Sequence, residues 1–508
     1  MRTSLQRQQR GSLAFLIGCI VIFAGGALHL PMLVMAHEMG NRLVGMPMDQ
    51  PMYAGMVLIA LGVPLAIFGA LSTRERVKEL DSSVRFEISD ETPLTARHYL
   101  VLAVLSVALV IDLMKPATLS FVLPGVRSEY GLDKATTAWL PFSALSGTTV
   151  GSFLWGWIAD RYGRRISILL AAVLFVATSV CGAMPTFAWN LVMCFLMGCS
   201  AGGMLPVVYS LVAEFVPTKS RGLALVLVGG LGAVGGYLAA SLAAQTLEPT
   251  YGWRVLWLLG VPTGLILLIF ARIIPESPGF LHAKGRTDEL DEMAKQYGIV
   301  QVPGHREAGG DASLATWLTW TLVLTALTWS TINFGLLLWL PSELAMRGYE
   351  AGTASGLLAR SALFALPTII VVSLLYSRWS SKWTLVVTMA VTVAGLVGTA
   401  LPSEILANRT SLIVVMAVLL VGTNGMMVVL MPYVAESYAT AVRGRATGLV
   451  AGSSKLGGVA IQVFAMGGLV PGLAIASWIL IVPMLLAIIL VGLLGHETRG
   501  VALEQSSA

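Results

Sequence analysis

The sequence predicts an all-α, polytopic membrane protein: two six-helix halves of like orientation, preceded by two extra helices, about fourteen spans in total. Three observations carry this expectation. Of 508 residues, 56% are hydrophobic and 12% charged, where a soluble globular chain has about 25% charged residues. Apolar runs long enough to cross a hydrocarbon core, about 20 helical residues each, recur along the chain. A ten-residue segment also appears twice, at matching places.

The extra pair comes first, at 12–35 and 52–73. Its first run follows the basic stretch MRTSLQRQQR, but it is too long for a secretory signal, no convincing small-residue cleavage site follows, and a second span comes soon after. It is expected to be retained, so 1–97 reads as an added helix pair with a cytoplasmic linker. The N-terminal half, 98–274, holds runs at 98–122, 136–157, 166–185, 188–212, 223–246 and 253–274. A hydrophilic cytoplasmic stretch, 275–314, leads to the C-terminal half, 315–496, with runs at 315–340, 354–376, 383–402, 410–434, 446–468 and 474–494. Residues 497–508 read as a cytoplasmic tail.

Loop charges set the orientation. With the N-terminus in the cytoplasm and one crossing per run, 23 of the 32 Lys+Arg residues are cytoplasmic and six are outside. The bias follows the positive-inside rule, and an even number of spans puts both termini in the cytoplasm. The expected location is the cell membrane, of the bacterial inner-membrane kind. The net charge of +5 is too small to suggest a nucleic-acid partner. Cys19, Cys181, Cys194 and Cys199 all sit in apolar runs with no metal-ligand spacing, and they read as small packing residues.

The repeat pairs AEFVPTKSRG (213–222) with AESYATAVRG (435–444), identical at Ala, Glu, Thr, Arg and Gly. Gly235 and Gly236 match Gly457 and Gly458 in the same register. Parallel six-helix repeats around a midplane site are the architecture of a secondary transporter.

Between the second and third core runs lies GWIADRYGRR (156–165), of the form G-x3-D-R-x-G-R-R. PESPGFL (275–281) follows the sixth core run and HETRGVALE (496–504) the twelfth. The first resembles the signature loop of the major facilitator superfamily. The other two resemble motifs of its sugar porter, organic ion and aromatic acid:proton symporter branch, with Gly279 in place of Arg and His496 in place of Pro. The resemblance covers about 98–504. The aromatic acid symporters carry D-G-x-D in the first core helix, with a proline twelve residues after the first Asp. Asp112 and Pro124 match that spacing, and Lys115 replaces the second Asp. CFLMGCSAGG (194–203) resembles the pattern R-F-L-x-G-x-G-x-G-G, with Cys194 in place of the Arg linked to proton coupling.

Ionisable residues inside a membrane are costly and usually functional. Asp112 is the expected proton-coupling residue; pairing with Lys115, three residues on, is the structural alternative. The resemblance to organic anion transporters implies that Arg360 and Lys455 face an anionic substrate, together with Lys115. Arg360 has the alternative of reaching the outer interface. Asn333, Asn424 and Gln462 are uncharged polar candidates that either bind substrate or tie helices together. Asp160, Arg161, Arg164, Arg165, Glu214, Arg221, Glu436 and Arg443 are the expected cytoplasmic gate, or simply solvated helix ends.

The leading expectation is a proton-coupled importer of a small organic anion, an aromatic or other carboxylate, working by alternating access as a monomer without cofactors. The first alternative is a drug or metabolite exporter on the same fold. The second is a copper-linked transporter or sensor, because 29–56 is rich in thioether and imidazole groups: His29, Met35, His37, Met39, Met46 and Met48. Methionine is also a common apolar filler, and no metal site is assigned. No nucleotide loop, HExxH or nucleophile elbow stands in a credible context, so no enzyme is expected.

Overall fold

Backbone polar groups in hydrocarbon must bond within their own segment, so spanning runs become helices. In the computed structural model of the protein the described residues are 2–72, 84–88, 92–303, 317–402, 406, 408–438, 440–469 and 471–499, without side chains at 2–9, 84–85, 218, 303 and 440–444. Among them, twelve helical segments are long and apolar enough to cross a membrane. Arg10–Glu38 and Gln50–Ser72 are the added pair. The first, third, fourth and fifth core helices are Ala96–Tyr130, Arg164–Ala183, Phe187–Phe215 and Lys219–Tyr251. The seventh to twelfth are Trp317–Met346, Ala351–Trp379, Ser381–Thr399, Arg409–Ser437, Arg445–Met466 and Leu473–Leu494.

The two remaining expected spans are helical but fall outside this set. The sixth core helix spans only Val255–Phe270. The second, Trp139–Tyr162, is diluted by hydroxyl residues, which it uses internally. Ser143 and Ser152 donate to Leu191 O and Gly202 O of the fourth core helix, each at 2.6 Å. The same two helices touch backbone to backbone: a methyl on Gly198 would stand 2.0 Å from Ala144 O, and one on Gly147 2.0 Å from Phe195 O. Small residues permit this approach where lipid supplies no hydrophobic drive between helices.

The added pair is joined in the same way. Glycines recur every seven residues at 11, 18 and 25 and again at 55, 62 and 69. A methyl on Gly18 would stand 2.5 Å from Ala66 N, and one on Gly62 3.0 Å from Gly18 O. The pair rests on the third and sixth core helices through Ile22, Ala66, Val173, Val176 and Leu268.

The end of the bundle that carries 156–165 is here named the motif end, and the opposite one the far end. The expectation of a purely helical chain misses one feature at the motif end. Val84–Ile88 pairs antiparallel with Ile299–Pro303, Phe86 opposite Gln301. A lone strand pair is marginal in water. This one is backed by buried Ile88, Ile299 and Tyr297, with Tyr297 edge-on to Phe215 and to His98. The linker after the added pair is thereby pinned to the linker between the halves. The expected tail also differs: Glu497, Thr498 and Arg499 pack against the ninth core helix and its approach, while 500–508 lie outside the described residues.

Candidate functional site

Asp112 sits midway along the first core helix and is 1% exposed. Its Oδ1 has no hydrogen-bond partner among the described residues. Two lysines act on it electrostatically, Lys455 more strongly than Lys115. Asp112 in turn is the charge that acts on Lys455. An acid in one half thus faces a base in the other, with no ion pair within 4.0 Å between them among the described residues.

Lys455 lies on a line of the eleventh core helix that runs Gly448, Ala451, Lys455, Val459, Gln462 at helical spacing. The line is exposed at Gly448, half-buried at Lys455 and closed at Gln462. A separate narrow cleft between the fifth, eighth and tenth core helices is lined by Asn424, Thr368, Ile369 and Gly230. Asn424 donates to Leu420 O at 3.0 Å, one turn back on its own helix.

Three expected site residues go elsewhere. Lys115 does not join Lys455 or pair with Asp112. The two side chains leave the helix only about 60° apart, but acceptors on the third core helix draw Lys115 into the N-terminal half. There its Nζ donates to Phe175 O at 3.0 Å and Thr178 Oγ1 at 3.4 Å, and stands 3.4 Å from the Phe175 ring centroid. Arg360 is exposed on one stripe with Leu363, Phe364, Pro367 and Ile370. Such exposed apolar neighbours are the pattern of a lipid-facing stripe, from which a guanidinium can reach for the interface. Gln462 is fully buried and spent within its own half. The seventh core helix makes a π-helical turn at Asn333–Leu337, which disturbs the regular backbone ladder. Gln462 Nε2 donates to Phe334 O at 2.7 Å and its Oε1 accepts from Trp339 Nε1 at 3.4 Å. Asn333 opens that turn and is half-buried.

The expected gate residues gather at the motif end, largely within each half. Arg164 pairs with Glu214 at 2.8 Å, and its Nε donates to Ser210 Oγ at 2.8 Å. Arg165 Nε donates to Ala271 O at 2.6 Å. The Arg161 guanidinium lies 4.8 Å from the Trp157 ring centroid, and exposed Asp160 feels the Arg164 charge. Glu436 accepts from Tyr376 Oη at 2.6 Å and Thr498 Oγ1 at 2.8 Å. The Arg221 charge acts on both Glu214 and Glu436, so it spans the halves. The Arg443 side chain is outside the described residues.

Two capping acids among these residues were missed by sequence reasoning. Glu276 accepts from Arg164 N at 2.7 Å and Arg165 N at 3.3 Å, at the start of the third core helix. Glu497 accepts from Ser381 N at 2.9 Å, Ser381 Oγ at 2.6 Å and Ser380 Oγ, at the start of the ninth. Each acid follows the last helix of its half and caps the first turn of that half's third helix. Free N–H groups and the positive end of the helix dipole favour a carboxylate there. Burial pushes the Glu497 carboxyl up, but the hydrogen bonds from Ser380, Ser381 and Arg499 N outweigh it and hold it below the usual carboxylate range. The signal was present as PES at 275–277 and HET at 496–498. Glu276→Gln, which turns an acceptor into a mixed donor and acceptor facing two N–H groups, is expected to destabilise the folded protein by roughly 1–3 kcal/mol, read as a lower thermal midpoint in detergent.

The far end is closed between halves. Lys134 pairs with Glu343 at 2.6 Å, its ammonium 5.6 Å from the Trp339 ring centroid. Pro249 abuts Gly352, and Gln245 abuts Gly356. At the motif end the fifth and eighth core helices still meet, Gly222 against Tyr376. Between the second and eleventh, however, a methyl on Gly156, Gly448 or Gly452 would meet nothing within 4 Å among the described residues. The line holding Lys455 therefore opens toward the motif end.

The Met/His segment packs and docks. Met32, Met52 and Leu43 are buried together, with Met46 and Met48 against them, while Met35 and Met39 are exposed. His29 Nδ1 lies 2.9 Å from Gly25 O, and His37 Nδ1 2.9 Å from Asn41 Oδ1. Among the described residues no three His, Cys, Asp or Glu side chains cluster as a metal site.

Comparison with known proteins fits this architecture. The niacin transporter NiaP of Acinetobacter baylyi is 26% identical over 443 residues, covering 82% of this chain and 98% of that one. The benzoate transport protein of the same organism is 24% identical over 402 residues, covering 73% of this chain and 84% of that one. The xylose transporter XylE from E. coli, in a partially occluded inward open conformation, superposes with a TM-score of 0.65 at 16% identity, over 80% of this chain and 100% of that one. The family profile described as Major Facilitator Superfamily matches residues 100–461, and the chain belongs to that superfamily, as a multi-pass membrane transporter and not an enzyme.

Proposed function

We propose that the protein is a secondary transporter that takes up a small aromatic carboxylate together with a proton, by alternating access. The observation that carries this reading is the Asp112 and Lys455 arrangement: an acid and a base in opposite halves, deep in the bundle, with no direct bond. A carboxylate arriving at Lys455 competes with Asp112 for the same cation, because opposite charges in a desolvated site attract strongly. Asp112, losing its counter-charge, then takes a proton. Substrate entry and protonation are coupled without any further group.

The substrate class is supported by the relatives, since niacin and benzoate are both single-ring aromatic acids. The orientation is supported by the loop charges, which put the motif end and both termini in the cytoplasm. The structure then corresponds to a state closed to the outside at Lys134–Glu343. The test is uptake of labelled benzoate or nicotinate into proteoliposomes with an imposed pH gradient. Accumulation above equilibrium that a protonophore collapses is the expected result. Failure of every aromatic carboxylate to accumulate, with outward movement of neutral or cationic drugs, would favour the exporter reading instead.

Breaking the outer closure has its own consequence. Lys134→Ala leaves Glu343 without its partner and is expected to shift the resting protein toward the far-end-open state. The reporter is Ser342→Cys, 4% exposed beside the pair: a bulky impermeant maleimide should label it faster in the Lys134→Ala background than with Lys134 intact. Equal rates mean that the ion pair does not hold the gate.

A further inference from the structure

The added helix pair has no place in the two-half mechanism, yet its loop is tied into the far end of the core by a buried polar network. The Leu43 N–H donates to Glu129 Oε1 at 2.7 Å and the Val44 N–H to the same oxygen at 3.3 Å. Glu129 also pairs with Arg254 at 2.8 Å, the two side chains 5% and 3% exposed, and accepts from Trp253 Nε1 at 2.8 Å. Arg254 in turn donates to Gly182 O, Met184 O and Tyr130 Oη at 2.9–3.0 Å. A second tie lies beside it. Asn41 Nδ2 donates to Thr250 O at 3.1 Å, and His37 packs on Tyr251, ring centroids 5.6 Å apart. Asn41 holds a left-handed backbone, φ 65°, between Gly40 at 77° and Gly45 at 86°. Asparagine tolerates that conformation better than most residues, so the loop is shaped for this contact.

The place of contact matters. Segment 245–254, which ends the fifth core helix and starts the sixth, is held on one side by the added loop. On its other side it is keyed into the C-terminal half, where a methyl on Gly352 would stand 2.9 Å from Pro249 and one on Gly356 3.0 Å from Gln245. These cross-half contacts are close. A cavity of about 390 Å³ lies where the three parts meet, walled by Asn41 and Arg42, by Glu129 and Trp253, and by Glu350 and Gly352.

We propose that the added helix pair is a clamp on the far-end gate. Its loop fixes the ends of the first, fifth and sixth core helices as one body, and so sets how tightly 245–254 closes on the eighth. The clamp stays docked on the N-terminal half throughout the cycle, and the C-terminal half moves against it. Glu129 is its positioning residue. Loosening the loop weakens far-end closure and slows turnover, with substrate affinity at the central site unchanged.

The test needs no knowledge of the substrate for its first readout. Far-end closure is measured by bridging Arg127→Cys and Met346→Cys with a short bifunctional thiosulfonate, since the native side chains touch at 3.5 Å. Adding Asn41→Ala is expected to lower the bridging yield several-fold and Vmax in parallel, with KM unchanged. In a second arm, His37→Cys and Tyr251→Cys are bridged to lock the loop down, and transport is expected to continue at the unbridged rate. Unchanged bridging in Asn41→Ala overturns the proposal. So does loss of transport on locking that returns on reduction, because the loop would then have to leave its seat in each cycle. The locking arm does not depend on how well Asn41→Ala folds. Failure of the carboxylate reading would leave the bridging result intact.

Discussion

Asp112→Asn is expected to abolish accumulation of substrate against a gradient while leaving counterflow exchange in place. Asp112 is the acid buried deepest in the first core helix, and its Oδ1 is held by no hydrogen bond among the described residues. A carboxylate that carries a proton must be able to lose and regain it, and an oxygen free of fixed donors is suited to that. Asparagine keeps the volume and removes the proton site. A proton crossing the full membrane potential carries about 2.3 kcal/mol per 100 mV, and this drive disappears with the group. Lys455 keeps its charge in the variant and no longer shares it with an acid. Carboxylate binding should therefore persist or tighten. The measurement is a pair of assays on one preparation: uptake driven by an imposed pH gradient, and exchange of labelled for unlabelled substrate at equal pH. Undiminished gradient-driven accumulation in Asp112→Asn would falsify the assignment of the proton to this residue. Loss of both assays in a protein that runs as a single species on size exclusion would make Asp112 a structural charge.

The sequence disclosed the fold and singled out part of the candidate site, and the physical reasons differ residue by residue. Fourteen apolar runs, the repeat at 213–222 and 435–444 and the signature loop need no knowledge of packing, because each is a local pattern. Asp112 and Lys455 were legible for the same reason: a charge in an apolar run stands out whatever surrounds it. The direction of a side chain is not local. Lys115 lies one turn from Asp112 and yet bonds to Phe175 O in the third core helix, which no spacing on the first helix reveals. For Arg360 the exposed neighbours Leu363, Phe364 and Pro367 on its stripe favour the interface alternative over the substrate one. For Gln462 the choice between binding substrate and tying helices stayed open, because the partner it satisfies, the Phe334 carbonyl, belongs to a π-helical turn that has no sequence signature. The strand pair joins 84–88 to 299–303, segments too short and too far apart in the chain for alternation to announce them. Glu276 and Glu497 were in plain view within quoted motifs. What hid them was function: a carboxylate after a helix looks solvated until the N-terminus it caps is in place.

Lys455→Ala is expected to weaken carboxylate binding by roughly two orders of magnitude. Truncating one member of a buried charge pair costs roughly 3–5 kcal/mol, and Lys455 is half-buried on a line that opens toward the motif end, so the lower limit applies. At about 1.4 kcal/mol per tenfold change in affinity, that limit is about a hundredfold. The structure leaves few other cations for the task. Lys115 is turned into the N-terminal half and Arg360 toward lipid, so neither can substitute. Lys455→Arg should retain most of the affinity, because the charge stays, while the planar fork reorders preference among carboxylates of different shape. The double variant Asp112→Asn/Lys455→Ala separates substrate binding from mutual neutralisation. If Lys455 serves only to balance Asp112, removing both restores the wild-type affinity. If Lys455 binds the substrate, the double variant stays as weak as Lys455→Ala. The measurement is titration of benzoate or nicotinate into each purified variant, with a matched uncharged amide of the same ring as control. Equal affinity of folded Lys455→Ala and wild type for the carboxylate would remove Lys455 from the site, and with it the charge on which the anion assignment stands.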